Sequence, residues 1–267
     1  MKQGLRPSAV VGRGDDASKR NSDKPLLQVD SVEASYGPYK ALFGVSFSVA
    51  EGSAMALLGS NGAGKSTVSR VVSGLIPATS GRVIFAGQDV TGLSAWRIAR
   101  LGLAHAPEGR SVFASLTVLE NLQLTFRRSL GKEAVGDALA AAFSEFPRLG
   151  ERQSQLAGTL SGGEQRMLAL AKVLAVPPKL LIVDELSLGL APIIADEVFE
   201  RLDAIRSRGT SLLIVEQHVG RALELADRVV LLFKGQVSYE GPVSELGDLA
   251  HQVLPTQGSP AAGEQDT

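Results

Sequence analysis

The chain has 267 residues, 44% of them apolar, enough to bury a sizeable core as one large domain or as a domain carrying a subdomain. Its formal net charge of -1 leaves no basic footprint for nucleic acid or for an anionic membrane surface. It contains no cysteine, which excludes disulfides and thiolate metal sites and suits a reducing compartment, so the cytoplasm is the expected location.

In chain order, residues 1–25 mix Gly12, Gly14, Asp15, Asp16, Lys19, Arg20 and Asp23 around one brief apolar stretch near Val10, and are expected to form a disordered leader. From Leu26 to Val49 apolar and polar residues alternate, the period of half-buried strands, with Tyr36-Gly37-Pro38 as the turn between them. Ala54 to Leu58 reads as a short buried strand, Gly59 to Gly64 as a loop, and Lys65 to Leu75 as a helix stopped by Pro77. From about residue 92 to 160 the strand signal fades, and stretches such as Ala134 to Phe146 predict an inserted α-helical subdomain.

Strands at Leu180 to Val183, Leu212 to Val215 and Val229 to Phe233 then alternate with helices near Gly163 to Ala175, Ile193 to Arg206 and Val219 to Leu225. That alternation predicts an α/β fold with a mostly parallel sheet, a small antiparallel β layer at the N-terminal side and the helical insertion. The ordered domain is expected to span 26–250, with 251–267 as a flexible tail poor in groups that could bury themselves. Every apolar run is strand-sized, far below the roughly 20 residues needed to cross a bilayer.

Gly59-Ser60-Asn61-Gly62-Ala63-Gly64-Lys65-Ser66-Thr67 fits G-x-x-x-x-G-K-[ST] between a strand and a helix. In that context the glycines let successive backbone N–H groups wrap a phosphate at a helix N-terminus. Lys65 then meets the β- and γ-phosphates and the Ser66 hydroxyl offers a ligand to Mg²⁺, the core of a P-loop ATPase.

Asp184 closes the apolar run Leu180 to Val183 and so lies at the carboxyl end of a buried strand, where open α/β sheets bind ligands. It would hold Mg²⁺ through water, while Glu185 orients or deprotonates the water that attacks the γ-phosphate. Read alone, the two acids also suit a solvated turn. His218 stands just past the strand ending at Val215, within reach of the same sheet edge, although a surface histidine has the same sequence appearance. None of the three asparagines, Asn21, Asn61 and Asn121, is followed by lysine, which argues against the guanine-reading Asn-Lys-x-Asp of a GTPase.

Leu160-Ser161-Gly162-Gly163-Glu164-Gln165, about 20 residues before Asp184, resembles the signature motif of ABC ATPases, and Ser187-Leu188-Gly189-Leu190 resembles their D-loop. The resemblance covers residues 26 to about 250. It implies that His218 is the family's switch histidine and that Tyr36 stacks on adenine. It also implies that Ser161, Gly162 and Gly163 act in trans, approaching the γ-phosphate of a partner's ATP across a head-to-tail dimer, as a helix N-terminus suits.

Three further segments narrow the resemblance to an ATP-binding subunit of bacterial branched-chain amino acid importers: Ala106-Pro107-Glu108-Gly109-Arg110, Leu116 to Leu122, and Leu188-Gly189-Leu190-Ala191-Pro192. By this resemblance Glu108, where most ABC domains carry glutamine, touches the metal site and leads to the groove for a membrane subunit. The implied partners are a second ATPase subunit in a heterodimer, two integral membrane permeases and, indirectly, a periplasmic solute-binding protein. The implied place is the cytoplasmic face of the inner membrane. A urea or short-amide importer and a soluble single-cassette ATPase of cofactor assembly remain as alternatives. One departure stands out. Such proteins usually carry proline after the catalytic glutamate, whereas Leu186 follows Glu185 and lifts the restriction that proline places on its predecessor.

Overall fold

The structure is a computed structural model describing residues 25–106, 112–174, 177–216 and 219–247. Residues 1–24 of the leader, the whole of the tail 251–267, Glu108 and His218 therefore lie outside the described residues. β1 (Pro25–Tyr36) and β2 (Tyr39–Ala50) form the hairpin expected from the alternating pattern. β3 (Ala54–Leu58) and α1 (Lys65–Val72) enclose the glycine-rich loop. β4 (Ser80–Phe85) and β5 (Gln88–Asp89), which the alternation rule does not reach, complete a four-stranded antiparallel sheet in the order β2-β1-β4-β5.

The stretch 92–160 is not helical throughout. After α2 (Ala95–Arg100), β6 (Leu103–Ala106) joins the central sheet as an edge strand parallel to its neighbour. Its four residues, Leu-Ala-His-Ala, carry no β-branched side chain and no clear period, so long-range pairing decides their state. The helical part is α3 (Val118–Leu130), α4 (Val135–Glu145) and α5 (Pro147–Glu151). Thr117 and Glu120 cap α3 reciprocally, and the fully buried Asn121 amide binds the Phe113, Leu116 and Thr117 carbonyls, pinning the approach to that helix. Glu145 on α4 pairs with Arg201 and Arg208 and so ties the subdomain to the core.

The remainder runs α6 (Gly162–Leu174), β7 (Leu180–Asp184), α7 (Pro192–Ser207), β8 (Ser211–Glu216), α8 (Val219–Leu225), β9 (Arg228–Phe233) and β10 (Gln236–Pro242). The central sheet has the order β10-β9-β3-β8-β7-β6, parallel except for the terminal β9–β10 hairpin. β3, β7 and β8 are buried at every position, as strands covered on both faces must be.

Side-chain alternation sorts these strands into two cores. Met55, Leu57, Leu180, Ile182, Leu213 and Val215 pack with Val68, Val71 and Val72 of α1 and with the antiparallel layer. Ala54, Ala56, Leu58, Leu181, Val183, Leu212 and Ile214 pack on the opposite side with α3, α6, α7 and α8. Parity therefore fixes where each strand-end polar residue goes. Asp184 shares the α1 side with Leu180 and Ile182, while Glu216 shares the other side with Leu212 and Ile214.

Candidate functional site

The loop from Gly59 to Gly64 leaves β3 at the carboxyl edge of the sheet and enters α1 through Gly64, whose φ of 104° suits a residue without Cβ. Asn61 and Gly62 form its exposed tip, while Ala63, Lys65 and Thr67 are buried. Gly59 is required by close approach, because a Cβ there would stand 2.4 Å from the Leu232 carbonyl oxygen. The Lys65 ammonium donates to the Gly59 carbonyl at 2.9 Å and to the Ser60 carbonyl at 3.3 Å, and lies 3.6 Å from Glu185 Oε1.

Asp184 is 2% exposed and is held by serines of α1. The Ser69 hydroxyl donates to its Oδ2 at 2.8 Å, and Ser66 Oγ lies 3.4 Å from Oδ1. Ser66, Ser69 and Ser73 form one stripe at spacings of three and four, the face that α1 turns toward β6 and β7. Ser73 Oγ is 3.0 Å from Nδ1 of His105 on β6, and His105 Nε2 is 3.9 Å from Asp184 Oδ2. Ser69, Ser73 and His105 are absent from the sequence reading. The helical spacing of the serines was the available signal for the first two, but nothing in the sequence marks His105 before β6 is known to be a strand.

Glu185 adopts φ 49°, a left-handed value that costs a non-glycine residue about 1–3 kcal/mol and persists where surrounding contacts over-determine it. Leu186, 3% exposed, imposes none of the restriction a proline would place on this backbone, and its carbonyl accepts a hydrogen bond from Arg166 of α6.

Tyr36 stands at the β1–β2 turn opposite Tyr39, 42% exposed, its hydroxyl accepting a long 3.4 Å bond from Arg70 of α1. The structure thus places it beside the helix that opens at Lys65. Ser161, Gly162 and Gly163 are not brought to that site within the chain. They line a separate cavity of about 270 Å³ with Gly189, Leu190 and Ala191, to which no residue of the glycine-rich loop contributes.

Ser161 precedes α6 and forms a reciprocal cap with Glu164. The Ser161 N–H and hydroxyl both reach Glu164 Oε2 at 2.9 Å, and the Glu164 N–H returns to Ser161 Oγ at 3.3 Å. Burial alone would raise the Glu164 pKa, but the Ser161 N–H, the Ser161 hydroxyl and the Arg152 guanidinium at 2.9 Å together hold it below the usual carboxylate range.

A strand, a glycine-rich loop and a helix bearing a buried lysine, with two carboxylates at the end of a parallel strand one further along the sheet, define a phosphate-loop ATPase. The family model described as ABC transporter matches residues 42–187. The chain is 43% identical over 212 residues to the high-affinity branched-chain amino acid transport ATP-binding protein BraG of Pseudomonas aeruginosa, covering 79% of this chain and 91% of that one. It is 38% identical over 222 residues to the "Probable branched-chain amino acid transport ATP-binding protein LivF" of Archaeoglobus fulgidus, covering 83% and 94%. Among solved structures, the ADP conformation of an ATP-binding cassette of an ABC transporter superposes with a TM-score of 0.77 at 27% identity, covering 86% of this chain and 97% of that one. The chain belongs to the ABC transporter family, as one of its ATP-hydrolysing cassettes.

Proposed function

We propose that this cassette powers import of branched-chain amino acids through an ABC transporter, sitting peripherally on the cytoplasmic face of the inner membrane. The observation that carries the cargo is the 43% identity, spread over 91% of the length of BraG. Its partners in this reading are a second ATPase subunit in a heterodimer, two integral membrane permeases and, beyond them, a periplasmic solute-binding protein. No helix among the described residues is long and apolar enough to cross a membrane, so the pathway for the solute would belong to other subunits.

The residues divide the work as follows. Backbone N–H groups from Ser60 to Ser66 and the Lys65 ammonium would hold the β- and γ-phosphates of ATP at the start of α1, with Thr67 one residue further along the helix and Tyr36 stacked on adenine. Glu185 would orient the attacking water, and His218 would approach the γ-phosphate beside it. Ser161, Gly162 and Gly163 would close the pocket of the partner subunit's nucleotide, so that ATP clamps two cassettes together and hydrolysis parts them.

The donor set at Ser66 and Asp184 fits Mg²⁺: both are hard oxygen ligands, and the described residues hold no cluster of three or more His, Cys, Asp or Glu. Such a site suits an ion that draws its remaining oxygens from phosphates and water, and Glu108, outside the described residues, would add a further carboxylate. When bound, the ion neutralises phosphate charge.

The test is ATP-driven uptake of labelled leucine into proteoliposomes holding the complete transporter, beside a Lys65→Ala version. Leucine uptake that disappears with Lys65→Ala supports the reading. Uptake of urea in its place, or failure of the chain to co-purify with any integral membrane protein, overturns it.

A further inference from the structure

The segment Glu185–Ser187 leaves β7 with one strained residue and is then held at three consecutive positions. The Glu185 N–H extends the β7–β8 ladder to the Val215 carbonyl at 2.8 Å. The Leu186 carbonyl is taken by Arg166. At Ser187 the ladder passes to a side chain: Glu216, the last residue of β8, accepts the Ser187 N–H on Oε1 at 3.0 Å and the Ser187 hydroxyl on Oε2 at 2.9 Å.

Glu216 is 1% exposed and Ser187 7%, so both bonds form out of water, where a lost partner costs its full desolvation. Glu216 also pairs in register with Leu58, the residue before the glycine-rich loop. Strand parity puts its side chain on the face opposite Asp184, away from the metal-facing serines. So placed, the carboxylate grips the residue two positions after Glu185. On the other side of Ser187 the chain turns, Leu190 N–H to Ser187 carbonyl at 3.1 Å, into Gly189–Ala191, which line the cavity beside Ser161.

We infer that Glu216 is a positioning residue for hydrolysis: by fixing Ser187 it maintains the left-handed turn at Glu185 and ties that turn to the Ser161 cavity. The inference rests on the reading of Glu185 as the residue that orients water. A strained φ of 49° holds only while neighbours enforce it, and the Ser187–Glu216 pair supplies two of the enforcing bonds.

The experiment measures kcat and KM for ATP, with melting temperature, in the assembled transporter carrying Ser187→Ala, Glu216→Ala, Glu216→Gln or the Ser187→Ala, Glu216→Ala pair, with Glu185→Gln as control. Glu216→Ala is expected to lower kcat at least tenfold and Ser187→Ala three- to tenfold, each with KM within twofold of the wild type. Glu216→Gln, which keeps an acceptor for the Ser187 N–H and bonds the Ser187 hydroxyl in the reverse direction, its NH2 donating to Oγ, should recover to within threefold. The double variant should be no worse than Glu216→Ala alone, as two ends of one contact require. Unchanged kcat in Ser187→Ala, or losses that multiply in the double variant, overturns the inference while a dead Glu185→Gln leaves the ATPase reading standing. A Glu185→Gln transporter that turns over normally removes that reading itself, and this inference with it.

Discussion

The Lys65 ammonium sits 3.6 Å from Glu185 Oε1, with side chains only 3% and 11% exposed, while two of its protons go to carbonyls of its own loop. Positive and negative groups of the site thus satisfy each other within the chain. Phosphate oxygens would replace Glu185 and the carbonyls as partners of Lys65 and free the carboxylate to meet water. Removing the ammonium in Lys65→Ala should lower ATPase turnover by on the order of 10² or more. Glu185→Gln should retain ATP binding and lose turnover, with the dimer trapped by ATP. Equilibrium nucleotide binding and phosphate release by the assembled transporter check both; a Lys65→Ala transporter within threefold of wild-type rate counts against the assignment.

Asp184 offers two oxygens in different company, Oδ2 bonded to Ser69 at 2.8 Å and Oδ1 facing Ser66 at 3.4 Å. The Ser69 bond fixes the carboxylate plane and leaves Oδ1 toward the hydroxyl expected at the metal, the role of an outer partner in a metal site. Ser69→Ala should therefore raise the Mg²⁺ concentration for half-maximal ATPase by several-fold to about tenfold, with kcat at saturating Mg²⁺ nearly unchanged. A Mg²⁺ titration of both proteins reads this directly. An unshifted midpoint would mean that Ser69 is packing alone.

Lys65, Asp184 and Glu185 were legible because a loop motif and the end of an apolar run are contiguous in sequence. Ser69, His105, Arg166 and Glu216 were not, since their roles depend on which face of a strand or helix meets which neighbour. Once β7 and β8 are known to pair in register, parity alone sends Asp184 toward α1 and Glu216 the other way. β6 carries no signal of its own for the same reason, its Leu-Ala-His-Ala being a strand by virtue of β7. The left-handed backbone at Glu185 had no sequence signal beyond the absence of proline at Leu186.

The glycines of the loop look equivalent in the motif and are not equivalent in space. Gly62 has φ 78° with nothing within 4 Å of an added Cβ, so alanine there meets only the left-handed backbone cost of about 1–2 kcal/mol. An alanine Cβ at position 59 would stand 2.4 Å from the backbone oxygen of Leu232 on β9, which cannot swing aside as a side chain can. Gly59→Ala should lower the melting temperature more than Gly62→Ala, with an overpacking cost of about 1–3 kcal/mol, and should weaken ATP binding as the loop moves. Thermal melts of the two variants test the order, and the reverse order would refute the close approach.

Glu164 is bonded to the Ser161 N–H and hydroxyl and to Arg152, and its carboxyl is held below the usual range despite partial burial. A carboxyl whose folded pKa is depressed stabilises the protein above its unfolded pKa, about 4.3 for glutamate, and loses that contribution as pH falls through the lower folded value. Glu164→Ala should thus melt below the wild type at pH 7, by about 1 kcal/mol for a lost helix cap. The gap should narrow as pH falls below the unfolded value of about 4.3 and through the lower folded value, where the wild-type carboxylate takes up its proton. Comparing the two proteins isolates this group from the other carboxylates titrating in the same range. A gap that stays constant from pH 7 to pH 3.5 would show that the cap does not depend on the ionised side chain. The same bonds occupy the Ser161 hydroxyl that the partner's phosphate would claim, so Glu164→Ala should also free that hydroxyl and lower the ATP concentration at which the two cassettes close.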